Sequence, residues 1–203
     1  MAVLSTANRQ CADHSLKKFC RAAFVLLALL LLGEWATWAQ PAVPKEYQLK
    51  AAFLFNFAQF AEWPRTAFTN TDSPLCIGVL GENPFGKALE ETVQGETIHG
   101  HKLAVRHSRQ IEDLKDCQMI FISKSEKSRT AEILSTLRSH PVLSVSEIEG
   151  FARRGGALNF YFDGPKVRFE INPTAAKQQG LKLSSELLNL GKIVESEQVP
   201  ENK

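Results

Sequence analysis

The chain has 203 residues, with 24 Lys+Arg against 22 Asp+Glu, 44% apolar residues and four cysteines. That balance leaves no basic face of the kind nucleic acid demands. No run of five like charges marks a polybasic membrane patch either.

The first segment reads as a leader. Lys17, Lys18 and Arg21 precede an apolar run from Ala22 to Leu32, and a short polar stretch then ends in Thr37-Trp38-Ala39. A basic start, an apolar centre and small residues before a cut describe a secretory signal, cleaved near Ala39. The run falls short of the roughly 20 apolar residues of a bilayer span. Cys20 lies before the run rather than after it, against a lipoprotein anchor. The expected organisation is signal peptide 1–39, linker 40–45, one domain over 46–196 and a tail over 197–203. No membrane insertion is expected once the signal is cut. The leader removes four bases (Arg9, Lys17, Lys18, Arg21) and two acids (Asp13, Glu34), leaving twenty of each, so the mature protein is neutral. Its 164 residues can bury one sizeable core. Cys76 and Cys117 remain, an even number in an oxidising compartment, so a disulfide is the default and two buried thiols the alternative. Closing that loop would stabilise by about 4 kcal/mol.

Lys50-Ala-Ala-Phe-Leu-Phe-Asn-Phe-Ala-Gln-Phe-Ala-Glu-Trp-Pro64 opens the mature fold. Phe53, Phe57 and Phe60, with Leu49 before them and Trp63 after, recur at helical spacing, and Pro64 stops a helix expected over 46–62. Phe55 and Ala58 lie off the stripe, so the helix is either covered on most sides or keeps a face for a partner. Leu75 to Leu80 reads as a buried strand closed by Gly81. Phe85, Leu89 and Val93 carry a helical period after Pro84. Further strands are expected at Leu103–Val105, Cys117–Ile122 and Val142–Val145. A helix capped by Ser125 should run to about Arg138, and a short one should lead from Ser146 to about Arg153. Strands apolar on both sides and alternating with helices argue for an α/β fold, a mainly parallel sheet with helices on both faces. Ala157–Phe162 and Val167–Ile171 flank Asp163-Gly-Pro-Lys166, an antiparallel hairpin at one edge. Asn172-Pro173 caps a helical turn, and a closing helix should span Ser184 to about Val194.

These blocks together resemble the YfiR-like periplasmic regulator family. The likeness is carried by Lys50 to Phe57 with Glu62-Trp-Pro64, Leu75 to Gly81 with Pro84-Phe-Gly86, and Cys117 to Ile122. Pro141 to Ser146, Gly155 to Phe160, Val167 to Asn172 and Gly180 to Leu188 extend it over nearly all of the mature chain. The resemblance implies a non-enzymatic negative regulator in the periplasm, without a cofactor. It would bind the periplasmic sensory domain of an inner-membrane diguanylate cyclase, lower cyclic di-GMP and so restrain biofilm formation. The alternative is a small-ligand-binding sensory module serving another receptor, such as a hybrid histidine kinase. Cys76 and Cys117 fall where the family carries a disulfide. Some members have a second cysteine pair where this chain has Glu147 to Arg154, so any redox role of that pair does not transfer. Gln118 stands where the family often has a histidine.

The binding candidates are Phe53, Phe57, Phe60 and Trp63, expected to touch a partner, a second copy of the chain or a small ligand, with core packing as the competing role. His99-Gly-His101 with His107 lacks the cysteine or carboxylate company of a metal site and reads as loop. Gly81 to Gly86 follows a strand, where sheets of this kind bind ligands, but lacks a phosphate-loop spacing. Gly155-Gly156 reads as a tight entry into a strand. Ser144, Ser146, Ser184 and Ser185 have no Gly-x-Ser-x-Gly context, and no carboxylate pair stands as acid and base, so no catalytic residue is assigned.

Overall fold

The computed structural model of the protein describes residues 44–196. The signal peptide, its cut near Ala39, most of the 40–45 linker and the 197–203 tail lie outside the described residues.

The opening helix, α1 (Lys45–Phe60), draws ten of its sixteen residues from Lys, Glu, Gln, Ala and Leu and has no β-branched residue, a composition that favours helix despite four phenylalanines. It ends two residues earlier than expected. Ala61–Glu62 (β1) turns extended and pairs antiparallel with Lys182–Leu183 (β9), and the Ser184 N–H donates to the Phe60 carbonyl at 2.9 Å. Strand pairing therefore takes the residues that periodicity alone gives to the helix.

The central sheet contains Leu75–Leu80 (β2), Thr97–Ile98 (β3), His101–Ser108 (β4), Met119–Ile122 (β5), Leu143–Ser146 (β6), Leu158–Asp163 (β7), Lys166–Ile171 (β8) and Lys192–Ile193 (β10). Their order is β10-β8-β7-β6-β5-β2-β4-β3. The core from β4 to β7 is parallel, and β7–β8 is the antiparallel hairpin, turning through Gly164-Pro165. Alternation then explains the unbroken apolar strands. Leu75, Ile77 and Val79 of β2, with Met119 and Phe121 of β5, pack with α1 and with Leu89 and Val93 of α2 (Ala88–Val93). Cys76, Leu80, Ile120 and Ile122 face the other way, onto Ile133, Leu134 and Leu137 of α3 (Thr130–Leu137). Two apolar clusters thus sandwich one sheet.

Several boundaries moved for identifiable reasons. Ser125 does not cap the helix before α3. Its hydroxyl accepts from the Glu82 N–H at 3.0 Å, and Ser123 caps a 3-10 segment, Lys124–Arg129, instead. Ser146 opens no helix, because its hydroxyl donates to the Ile122 carbonyl at 2.7 Å and accepts from the Ile148 N–H at 3.1 Å, setting a turn. Asn172 does cap α4 (Pro173–Gln178), accepting from the Ala175 N–H at 2.9 Å. The closing helix α5 (Ser185–Leu190) stops short of Val194, and the chain runs on as β10 beside β8. Gly191 permits this approach, since a Cβ there would come within 2.6 Å of the Ile171 and Phe169 side chains.

Candidate functional site

The aromatic helix divides its rings between core and margin. Phe57 is buried, stacked on Phe160 with centroids 5.6 Å apart and edge-on to Phe169 at 4.9 Å. Phe53 joins the same group, 6.0 Å from Phe57 and 5.6 Å from Phe169, yet stays half-buried, as does Phe60. Leu49, one turn before Phe53, is 46% exposed. Of the four candidates, Phe57 is therefore interior, and Phe53, Phe60 and Trp63 lie at the margin.

Trp63 anchors rather than projects. Its indole N–H donates to the Gln118 carbonyl at 2.7 Å. The buried Gln118 side chain accepts from the Cys76 N–H at 2.8 Å through Oε1, and its amide donates to the Ala67 carbonyl at 2.6 Å. Cys76 and Cys117 are disulfide-bonded, with Cα atoms 4.6 Å apart and a separation of 41 positions in sequence. The disulfide, Gln118 and Trp63 tie together the starts of β2 and β5 and the segment leaving α1.

At the opposite end of α1 is a cluster that no hydropathy pattern announces. Lys50 is 1% exposed although it is charged. Its ammonium pairs with Glu46 and with Glu147, which follows β6 and whose side chain is 3% exposed. The Tyr47 hydroxyl donates to Glu147 Oε1 at 3.0 Å, and the exposed Lys124 approaches Oε2 at 3.6 Å. The Tyr47, Phe160 and Phe162 rings lie 4.8, 5.7 and 5.4 Å from the ammonium. Burial, then the charge and hydrogen bond of Glu147, then the charge of Glu46, push the Tyr47 phenol far above its ordinary range. Sequence pattern gives Lys50 no special role; only the carboxylate brought from 97 positions away makes it an interior residue. Phe162, 52% exposed, stands beside Lys50. Next to this cluster a cavity of about 470 Å³ opens at the carboxyl end of β6, lined in part by Lys124, Glu147, Asn159 and Phe162.

The turn at Gly81 does not form a ligand crevice. Ser125 and Glu126 fill the space over it, and a Cβ at Gly81 would meet the Ser125 hydroxyl at 2.3 Å. His99 (φ 51°) and Gly100 turn the chain between β3 and β4. His101 stacks on Phe68 at 4.0 Å and bonds the Ser73 carbonyl, and His107 pairs with Glu90. Among the described residues, no group of three His, Cys, Asp or Glu side chains is placed to hold a metal. Within the same residues no helix is long and apolar enough to cross a membrane.

The family model described as YfiR/HmsC-like matches residues 47–192. The chain belongs to the YfiR/HmsC-like family. That is a family of periplasmic regulators, not known as an enzyme family. A solved structure, a conserved domain protein from Vibrio cholerae O1 biovar El Tor strain N16961, matches with a TM-score of 0.51 at 12% identity. The match covers 72% of this chain and 59% of the Vibrio chain, and at that identity the likeness is one of fold. In this YfiR/HmsC-like chain, Gln118 supplies a side chain that donates and accepts at once, as the Ala67 carbonyl and Cys76 N–H require. The stretch Glu147 to Arg154 supplies a buried carboxylate and two arginines.

Proposed function

We propose that this protein is a periplasmic inhibitor of an inner-membrane diguanylate cyclase, holding the enzyme's exported sensory segment in an inactive arrangement and so lowering cyclic di-GMP. The observation that carries the reading is the exposed apolar margin of α1. Leu49, 46% exposed, lies one turn from the half-buried Phe53, and Phe162, 52% exposed, stands beside Lys50, while Phe57 and the Lys50–Glu147 pair fix the helix from below. Aromatic and large aliphatic side chains on a rigid support are the groups that dominate protein–protein hot spots. Phe60 closes the helix at the same half-buried margin, and Trp63, beyond its end, ties the chain to Gln118 at the disulfide end.

The test separates contact from stability. Leu49→Glu and Phe162→Ser change exposed side chains, so the melting temperature should stay within a degree or two while cyclic di-GMP rises toward the level of a gene deletion. Phe57→Ala should instead unfold the domain at lower temperature. A deletion that leaves cyclic di-GMP unchanged would defeat the cyclase reading. The second reading, a ligand-binding module for another receptor, is favoured by the cavity of about 470 Å³ beside Lys124 and Glu147.

A further inference from the structure

A second cavity, of about 570 Å³, lies between α3 and α4, away from the α1 surface. Arg138 reaches it from the end of α3, and Arg153 and Arg154 from the segment after β6. Among the described residues no carboxylate lines it. In a mature chain with as many acids as bases, three guanidiniums around one groove, with no acid among the described residues of its wall, form a local excess of positive charge. Their existing bonds leave donors free. Arg154 spends one nitrogen on the Glu149 carbonyl at 2.7 Å, Arg153 leans to Glu170 at 3.5 Å, and Arg138 has no ion-pair partner among the described residues. The groove wall also holds Gln179, 8% exposed, whose Oε1 is buried without a hydrogen-bond donor. A buried amide oxygen left unpaired is a standing deficit that a ligand with a donor group removes. Leu134 and Ala175 supply an apolar stretch between these polar groups.

We propose that this groove binds a phosphate monoester whose organic part carries a hydroxyl. The phosphate sits between Arg138 and Arg154, guanidinium forks being suited to bidentate pairing with phosphate oxygens. The hydroxyl donates to Gln179, whose amide turns about its last bond to present the oxygen, and the carbon skeleton covers Leu134 and Ala175. The site is independent of the cyclase reading, which rests on the other face of the molecule.

Glycerol 3-phosphate, inorganic phosphate and sulfate, titrated calorimetrically into the mature protein at low ionic strength, supply the test. Glycerol 3-phosphate should bind most tightly and sulfate, which has no hydroxyl at neutral pH, least. Each of Arg138→Gln and Arg154→Gln should weaken glycerol 3-phosphate by about tenfold, the value of one lost charge-assisted bond. Both side chains are exposed, so folding should be unaffected. Gln179→Leu should erase the preference for glycerol 3-phosphate over sulfate; should that variant fail to fold, the arginine variants decide alone. Vesicles of phosphatidylcholine with phosphatidic acid distinguish the source. Retention on them, lost in the double arginine variant, assigns the monoester to a lipid headgroup, and binding in solution without retention assigns it to a soluble metabolite. Absence of heat with glycerol 3-phosphate and of retention on vesicles, or equal affinity in the double arginine variant, overturns the proposal.

Discussion

Replacing Lys50 by methionine is the sharpest perturbation of the α1 support. The substitution keeps the length and apolar stem of the side chain and removes the ammonium. What it leaves behind sets the magnitude. Glu147, with its side chain 3% exposed, would retain the Tyr47 hydroxyl at 3.0 Å and a lysine at 3.6 Å that is itself 61% exposed. Glu46 is 30% exposed and can turn to water, so its loss is small. The cost is therefore that of stranding one buried carboxylate, about 3–5 kcal/mol. For a domain of this size, stable by about 5–15 kcal/mol, that is a large fraction of the total. At about 2–4 °C per kcal/mol the melting temperature should fall by roughly 6–20 °C. The double variant Lys50→Met with Glu147→Leu removes the stranded charge and should recover most of the loss, since a buried ion pair and an apolar pair of similar volume are often near-equal in stability. Denaturant unfolding of the wild type, both single variants and the double variant closes the cycle. A single-variant cost below about 1 kcal/mol, or a double variant no more stable than Lys50→Met, would refute the claim that this pair is a buried, interdependent unit.

Reduction of Cys76–Cys117, or Cys→Ala at both positions, should destabilise the domain by about 4 kcal/mol through loss of the 41-residue loop constraint, read as a lower denaturation midpoint. The Tyr47 phenol gives an alkaline signature. With its pKa raised in the folded state, the unfolded chain releases that proton first as pH climbs past about 10, so stability should fall from there upward, by at most about 1.4 kcal/mol per pH unit. Tyr47→Phe should flatten that part of the profile, and equal slopes in both proteins would contradict the assignment. Backbone amides of α1 between Ala51 and Ala58 should exchange as slowly as those of β5; rapid exchange would show a helix held loosely rather than a fixed platform.

How far the sequence carried the fold can be seen at particular residues. The strands Leu75–Leu80 and Met119–Ile122 were legible because both faces of each are covered, which makes every position apolar. The hairpin at Gly164 and the cap at Asn172 were legible because their chemistry is local. What was lost depended on partners far along the chain. Ala61–Glu62 became a strand because Lys182–Leu183 lies beside it, and Ser125 left its cap because Glu82 took its hydroxyl. The site followed the same rule. The Phe53–Phe57 stripe was visible as periodicity, but its division into interior and margin was set by Phe160 and Phe169. Lys50 was invisible for the same cause, since a lysine's burial is decided by the carboxylate it meets and not by its neighbours in sequence.

The anchors of α1 bear on how it can act. Its start is tied by Lys50 and Tyr47 to Glu147, and its end by the Phe60 carbonyl to Ser184 and by Trp63 to Gln118, beside the disulfide. A helix fixed at both ends loses little conformational freedom when a partner docks, so its contacts convert more fully into affinity than those of a segment that must first order. The same fixing means that release of a partner cannot come cheaply from bending α1 itself. Two of the anchors respond to chemistry rather than to force: the disulfide to reductants, and the Lys50–Glu147–Tyr47 cluster to the charge placed near its mouth. The cavity beside Lys124 and Glu147 lies at that mouth, adjoining Phe162 on the proposed contact surface. A charged molecule entering there would act on the support of the surface and on its rim together, so under the proposed inhibitory role this end of the helix is where a ligand would shift the balance between bound and released partner.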